Sequence, residues 1–477
     1  VIETVLVGYG MAGARFAEEV RRRDPHGERV SLTVLGEEPQ HAYNRILLSD
    51  VVAGALPGHR LRLQDERWAA QHAVDLRRGV RVSSVDRVRH RVTTDDGTVL
   101  PYDRLVLATG ARPVVPDVQG LLTESGALAE GVTTFRTLED CHRIVALAGR
   151  GTPAVVLGGG PLGLEVARGL AGRGCEVTVV HPREHLMERQ LDENAARLLR
   201  RELESLGIAF RLGAPAAGYL PGAGVKLADG QRVPAELLVI SAGVRADTAL
   251  AAAAGLTVDR GVVVDDELTT SDRDISALGD CAQHPGGGHG LVEPAWQQAA
   301  VLADLLTGHE PAARYRGARP VLRLKARGVD LASLGEVHVP VHAQDAEVVR
   351  VEDPARGRYA KLVLRDERVA GAILLGSPDA AATITQLYDR GTPAPADRLA
   401  LLLGRALPAE AQGPEHLPPS AVVCRCNSVD KEQLVTAWRK GARDVEELAS
   451  TTRATTGCGS CTDNVCRLAE WLERESA

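Results

Sequence analysis

Aromatic side chains make up only 3% of this 477-residue chain. Single-stranded nucleic acid is held by stacking bases on such rings, so that class of partner is not expected. Lysine is absent before Lys226 and cysteine before Cys141, so the N-terminal quarter holds neither a redox thiol nor a side-chain ammonium group. No apolar run reaches the ~18 residues of a membrane-spanning helix. The chain opens directly on an apolar strand pattern, Thr4 to Val7, which leaves no room for a signal peptide, and a cytoplasmic location is expected. There, cysteines serve as ligands or reduced core residues more often than as disulfides. The formal charge is −7, from 56 basic and 63 acidic residues. That balance argues against nucleic acid and anionic membranes, and permits a basic protein partner.

What is present is a globular composition, 44% hydrophobic and 25% charged, in a chain long enough for two to four domains. Residues 1–150 alternate strand and helix patterns: Glu3–Val7 reads as a strand, Ala14–Arg23 as an amphipathic helix and Ser31–Leu35 as a second strand. Residues 151–244 repeat the order strand, Gly-rich turn, helix, strand. Residues 245–310 return to the first unit's style and end in a helical pattern, Pro294–Leu306. Residues 311–403 change character, with strands expected at Val337–Val341, Glu347–Val351, Tyr359–Leu364 and Arg368–Leu375, followed by helix. Pro408, Pro414, Pro418 and Pro419 mark 404–420 as a linker. A cysteine-bearing module fills 421–477, where Asp444 and Glu447 have capping-box spacing.

The first turn reads Gly8-Tyr-Gly10-Met11-Ala12-Gly13 between a strand and a helix. In such a G-x-G-x-x-G turn the first glycine allows the tight bend. The second lets backbone approach a pyrophosphate, and the third lets helix and strand pack closely. The helix N-terminus adds N–H donors and a positive dipole end. An acid follows the second strand at Glu37, but the position directly after that strand, where a ribose-binding acid usually sits, is Gly36. The second turn, Gly158-Gly-Gly160-Pro-Leu-Gly163-Leu-Glu165, repeats the fingerprint. Its second strand ends at His181-Pro-Arg183, where an acid would mark NADH and an arginine cluster NADPH. His181 and Arg183 fit neither pattern; the absence of a dense arginine cluster favours NADH.

Two nucleotide turns on one chain point to a flavin reduced by a nicotinamide. With Leu105-Val-Leu-Ala-Thr109-Gly110 and Thr270 to Gly279-Asp280, residues 1–310 resemble the flavoproteins with two dinucleotide-binding domains. That resemblance implies FAD and NAD(P)H as cofactors and assigns Asp280 to a ribityl hydroxyl. It places Thr109 and Gly110 at the flavin and Glu165 near the nicotinamide. Without an early cysteine, the flavin does not reduce a thiol there; Cys141, Cys175 and Cys281 read as packing. Ala42-Tyr-Asn-Arg45-Ile-Leu-Leu-Ser49, His181 to Asp192, and Gly290-Leu-Val-Glu-Pro294 resemble the flavin half of bacterial NAD(P)H-dependent nitrite reductase large subunits. Leu324-Lys-Ala-Arg-Gly-Val-Asp330 resembles their rubredoxin-reductase-like C-terminal region. Many rubredoxin and ferredoxin reductases set a lysine near flavin N5. Lacking an N-terminal one, this chain is expected to use Arg45 or backbone N–H groups.

Near the C-terminus stand Cys424-Arg-Cys426 and, after 31 residues, Cys458-Gly-Ser-Cys461. Two close thiolate pairs suit Zn²⁺ or an iron–sulfur centre. The spacing resembles the bacterioferritin-associated-ferredoxin-like [2Fe–2S] domain, and zinc holders more often use C-x2–4-C at both ends. Cys466 reads as packing. The expected fold is thus α/β: two Rossmann-like domains, an α+β accessory domain and a small helical [2Fe–2S] domain. The chain ends before any sirohaem or molybdenum portion, so nitrite reduction itself is not expected of it. The architecture resembles the electron-transfer (NADH dehydrogenase) subunit of assimilatory nitrate reductase. The implied partner is a separate molybdenum-containing catalytic chain, or else a nitrite reductase. Three other readings stand beside it: a ferredoxin or rubredoxin reductase-like enzyme, a non-enzymatic redox- or iron-sensing module, and a subunit of an amine or opine dehydrogenase.

Overall fold

The structure is a computed structural model and describes residues 1–287, 290–405, 416–457, 459 and 461–476. Its first sheet is parallel, with strands in the order Ile275–Ala277, Arg104–Leu107, Ile2–Val7, Val30–Gly36, Val74–Arg78. The second is also parallel, in the order Ile208–Arg211, Glu176–Val180, Pro153–Leu157, Leu237–Ile240, Val132–Thr134. In each, the strand that enters the Gly-rich turn lies at the centre, with the next strand on one side and a later strand on the other. Central parallel strands are covered on both faces and read as unbroken apolar runs; Val155, Val156, Leu237, Leu238 and Val239 are fully buried. Two joins are non-sequential. Ile275–Ala277 comes after the second unit yet completes the first sheet, and Val132–Thr134 precedes the second repeat yet edges its sheet.

The helix after each turn packs back on its sheet. Met11–Arg23 buries Phe16, Ala17 and Val20, and Pro161–Gly172 buries Leu164, Val166, Ala167 and Leu170. Met11–Arg23 also lies against the helix Val292–Thr307.

The third sheet is antiparallel: Val321–Leu324, Leu331–Gly335, Arg368–Leu375, Arg358–Arg365, Glu347–Asp353. Its alternating side chains face two ways, as the period of a strand requires. Leu362, Leu364, Ala372 and Leu374 meet the helix Pro378–Arg390, which buries Ile384 among them. Tyr359, Ile373 and Leu375 instead join the core of the second unit. There Tyr359 Oη donates to Asp192 at 2.5 Å, and Lys361 Nζ lies 3.2 Å from the same carboxylate.

The strand expected at Val337–Val341 is not formed; the strand lies earlier, at Leu331–Gly335. Gly335 takes a left-handed φ of 59°, and a Cβ there would stand 2.0 Å from Ala370 O, so the chain turns off the sheet at that point. Val337 is buried for a different reason: it caps the core, and its carbonyl accepts from Lys361.

The C-terminal module pairs Val422–Cys424 with Val429–Asp430 and adds helices Lys431–Arg439, Val445–Thr452 and Thr462–Ser476. Asp444 caps the second of these through Glu447 N, while Glu447 reaches Arg443 N rather than closing the box. The expected linker falls partly outside the described residues, Pro408 and Pro414 included. Among the described residues, no helix is long and apolar enough to cross a membrane.

Candidate functional site: one cavity shared by two glycine-rich turns

A cavity of about 2090 Å³ opens between the two parallel sheets and the third. Sites for a single small ligand measure roughly 300–1,000 Å³, so this one has room for two dinucleotides. Both turns line it, Gly8 to Ala12 on one wall and Gly158 to Leu162 on another.

The glycines divide their work in the same way in both turns. Gly8 (φ 113°) and Gly158 (φ 125°) adopt conformations that L residues avoid. A Cβ on Gly8 would stand 2.1 Å from Ala108 O, and one on Gly158 2.1 Å from Ser241 O. Gly13 and Gly163 let the helix approach the turn, where a Cβ would stand 2.0 and 2.1 Å from the carbonyls of Gly8 and Gly158. Gly160 faces open space, and the nearest atom to a Cβ on Gly10 is an Arg45 nitrogen at 3.8 Å. That open side is where a pyrophosphate would lie on backbone N–H groups, so the residues present fit the group.

Around the first turn, Glu37, Glu38, Arg45, Thr109, Gly110, Arg136 and Asp280 line the cavity. Glu37 is half-exposed, with Arg112 at 3.5 Å and Arg81 at 3.8 Å. Arg45 pairs with Glu38, donates to Arg136 O at 3.1 Å, and lies over the Tyr43 ring at 5.1 Å. Its backbone N–H meets Met11 Sδ at 3.3 Å. Thr109 Oγ1 donates to Asp247 O at 2.7 Å. Asp280 sits in a 3-10 turn, Gly279–Cys281, and no α-helix begins there. Arg136 holds one of its oxygens at 2.6 Å, and Gly290 N–H the other at 3.2 Å.

Around the second turn, His181 is buried at the end of Glu176–Val180. Its Nδ1 accepts from Gly159 N–H at 3.1 Å, so the ring proton is on Nε2, which faces Glu188 Oε2 at 3.1 Å. Burial holds the imidazole pKa below its usual value, although Glu188 pulls the other way. Arg183 is exposed at the cavity's edge.

Glu165 is 4% exposed, on the helix after the second turn. Lys325, from the third sheet's first hairpin, meets it twice. The Lys325 N–H donates to Oε1 at 3.1 Å, and Nζ lies 3.4 Å from Oε2 while donating to Ile46 O at 2.7 Å. Burial pushes the Glu165 carboxyl up, and Lys325 opposes that. The sequence shows no N-terminal lysine, and the structure supplies an ammonium group from the far end of the fold instead. Nothing in the spacing of Lys325 marks it, because its partner is 160 residues away. Glu188, Arg136 and Glu38 are likewise visible only once the chain is folded.

In the C-terminal module, Cys424 and Cys461 are buried and Cys426 is partly so. Cys424 Sγ and Cys426 Sγ are 3.7 Å apart. Two sulfurs on one tetrahedral centre with ~2.3 Å bonds are separated by about 3.8 Å, so the pair fits a shared metal. Hydrogen bonds from Cys426 and Cys461 draw the Cys424 thiol pKa down. A Cβ on Gly457 would stand 2.3 Å from Cys426 Sγ, leaving a cradle beside it. Cys458 lies outside the described residues. Among those described, no three His, Cys, Asp or Glu side chains gather around a single ion; a two-iron cluster takes its thiolates in pairs. Cys141 and Cys175 are buried in the second unit's core and Cys281 in the first's, with thiol pKa values raised by burial.

Residues 2–299 match the family described as pyridine nucleotide-disulphide oxidoreductase. Residues 320–392 match the rubredoxin NAD+ reductase C-terminal domain, and 422–470 the BFD-like [2Fe-2S] binding domain. The chain is 35% identical over 464 residues to the assimilatory nitrate reductase electron transfer subunit of Bacillus subtilis (strain 168), covering 96% of this chain and 58% of that protein. It is 34% identical to the nitrite reductase [NAD(P)H] of the same organism, covering 96% and 56%. Among solved structures it resembles putidaredoxin reductase in its covalent complex with putidaredoxin. That match has a TM-score of 0.75 and 26% identity, and covers 86% of this chain and 98% of the other. The chain therefore spans little more than half the length of those curated relatives. The [2Fe–2S] match sets the zinc reading aside, and the cofactors are FAD, NAD(P)H and a [2Fe–2S] cluster. Two fingerprint turns on one cavity and an unbroken match across 2–299 make one conclusion plain: the chain belongs to the pyridine nucleotide-disulphide oxidoreductase family, with a BFD-like [2Fe–2S] domain at its C-terminal end.

Proposed function

We propose that this protein is an NAD(P)H-dependent oxidoreductase that passes electrons through FAD to its [2Fe–2S] cluster and on to a partner. The partner is the catalytic chain of an assimilatory nitrate reductase. The observation that carries the reading is the single cavity. Both glycine-rich turns, the Glu165–Lys325 pair and Cys426 all border it. When bound, FAD takes a hydride, two electrons with one proton, and the cluster takes those electrons singly; the proton returns to solvent.

The residues have distinct roles in this reading. Gly8, Gly10, Met11, Ala12 and Gly13 form the cradle for the FAD pyrophosphate; Glu37 faces its ribose and Asp280 its ribityl chain. Thr109 and Gly110 shape the wall beside it, and Arg45, fixed by Glu38, borders the flavin. Gly158, Gly160 and Gly163 cradle the nicotinamide dinucleotide. Glu165 holds Lys325 at the point where the two halves meet, which makes Lys325 the ammonium group available to an electron-rich flavin. His181 and Arg183 flank the second ribose. Glu188, fixed by His181, places a carboxylate at that end of the cavity, which favours NADH over the 2′-phosphate of NADPH. Cys424, Cys426, Cys458 and Cys461 hold the cluster.

Stopped-flow mixing of the cofactor-loaded protein with NADH tests the chemistry: flavin absorbance must fall first and cluster absorbance after it. Reconstitution with a molybdenum-containing nitrate reductase chain tests the acceptor: nitrate reduction with NADH is expected. Failure there, with turnover by a sirohaem nitrite reductase, would move the assignment to that acceptor. The near-equal identity to the nitrite reductase of Bacillus subtilis keeps this second reading in view.

A further inference from the structure

The cysteine-bearing module does not stand apart from the cavity. Cys426 forms part of its wall, and the indole N–H of Trp296, on the helix Val292–Thr307, donates to Cys426 O at 2.9 Å. The residue between the two thiols, Arg425, makes further contacts. Its guanidinium lies 2.6 Å from Glu293, in the first turn of that helix, and pairs with Asp389 near the end of Pro378–Arg390. One side chain thus ties the Cys-x-Cys segment to two other parts of the fold. Arg425 and Glu293 are each only 18% exposed, and burial pushes both acids' pKa values up against the pull of Arg425. A second, peripheral tie joins Arg453 to Glu18 on the helix after the first turn.

We propose that Arg425 is the positioning residue that seats the cluster module over the flavin end of the cavity, with Glu293 and Asp389 as its acidic socket. The guanidinium is planar and carries five donors, so it can serve two carboxylates at once, where an ammonium group would act as a single point charge. Its place between the two cysteines gives the device its use. Any rotation of the module that breaks the socket also carries Cys426 away from Trp296 and from the cavity wall. Each electron passed inward to the module therefore depends on an ion-pair contact that involves neither cofactor directly.

The proposal rests on the electron path proposed above, and the test separates the two. Asp389 does not line the cavity, so Asp389→Lys should leave NADH-driven flavin bleaching unchanged. It should slow the later cluster bleaching at least tenfold. Hydrogen–deuterium exchange on the same holoprotein should rise in peptides spanning 292–300 and 422–430 and stay level in the second glycine-rich turn. If Asp389→Lys loses its flavin, Asp389→Asn carries the same test, with a smaller slowing of about threefold expected. Arg425→Lys should restore only part of the wild-type rate, because one ammonium group cannot span both acids. Unchanged exchange together with unchanged cluster bleaching in the Asp389 variants would overturn the proposal. A wild-type cluster that never bleaches with NADH would instead overturn the electron path, while the exchange arm would still judge the socket.

Discussion

The two glycine-rich units share a backbone and differ at two matched positions. Between the first two fingerprint glycines stands Tyr9 in one unit and Gly159 in the other. At the end of the following strand stands Gly36 in the first and His181 in the second. The substitutions are reciprocal. A Cβ on Gly36 would lie 2.8 Å from Tyr9 Cβ, and a Cβ on Gly159 would lie 2.9 Å from His181 Cγ. In the first unit the space is taken by the residue inside the turn, and in the second by the residue at the strand's end together with Leu186, whose Cδ2 would lie 2.8 Å from the same Cβ. This accounts for Gly36, which from the sequence is an irregularity in a nucleotide site: the Cβ of Tyr9 needs the room. A third matched position carries opposite charges. Arg15 follows the first turn as Glu165 follows the second. Arg15 pairs with Glu19 at 2.8 Å and lies under Trp296, toward the cysteine module. Glu165 faces Lys325 from the third sheet. Duplication provided one frame, and these three positions turned its copies toward different neighbours.

The largest effect should come from breaking the charge that belongs to the second unit alone. Lys325→Met strands the buried Glu165, and removing one partner of a buried pair costs about 3–5 kcal/mol. Part of that is recovered if Glu165 takes up a proton. Chemical denaturation of the flavin-loaded protein should show the loss, and flavin reduction by NADH should slow as well. The pH dependence follows the same carboxyl. Its pKa is raised in the folded protein, so the folded state binds the proton more tightly than the unfolded chain does. Stability should then fall as pH rises from the ordinary glutamate range through the raised value, and Glu165→Gln should remove that slope from a melting series.

Next come the glycines that make the units equivalent. Gly13→Ala and Gly163→Ala each drive a Cβ against a backbone carbonyl, and overpacking of this kind costs about 1–3 kcal/mol. The outcomes should differ by unit: flavin content per chain drops for Gly13→Ala, whereas Gly163→Ala keeps its flavin and binds NAD+ more weakly by titration. The reciprocal space predicts a coupling of about 1 kcal/mol. Gly159→Ala should destabilise alone and be tolerated better with His181→Gly; strict additivity in denaturant melts would break the comparison. The smallest effect is expected at the cofactor's ribose end. Glu188→Gln should improve NADP+ binding relative to NAD+ by about tenfold, or 1.4 kcal/mol, as read by isothermal titration. An unchanged ratio would remove Glu188 from the specificity argument.

Both fingerprints, the duplication and the cysteine spacing were legible in the sequence because their constraints are local. Gly163 must be glycine on account of a carbonyl five residues before it, and one intervening residue keeps Cys424 and Cys426 close enough for their sulfurs to lie 3.7 Å apart. The same local reading misplaced the strand at Val337–Val341. Those residues alternate as a strand does, but the turn at Gly335 and the carbonyl bond to Lys361 take them off the sheet. Glu165 was identified from the motif without its partner, and Arg45 without Glu38 and Arg136, because no periodicity links residues that meet only across the cavity.

What the sequence by itself determined was therefore the repeated unit: where the chain must bend tightly, where backbone must stay bare for a phosphate, and which thiols come in pairs. Steric and covalent limits within a few residues suffice for that. Only the tertiary structure decided which charges meet. Lys325 reaches Glu165 because Tyr359, Ile373 and Leu375 of the third sheet join the second unit's core, and Arg425 reaches Glu293 and Asp389 where the module meets the helices Val292–Thr307 and Pro378–Arg390. An ion pair between distant segments has no local signature; it exists only where packing brings the two ends together and removes the water between them.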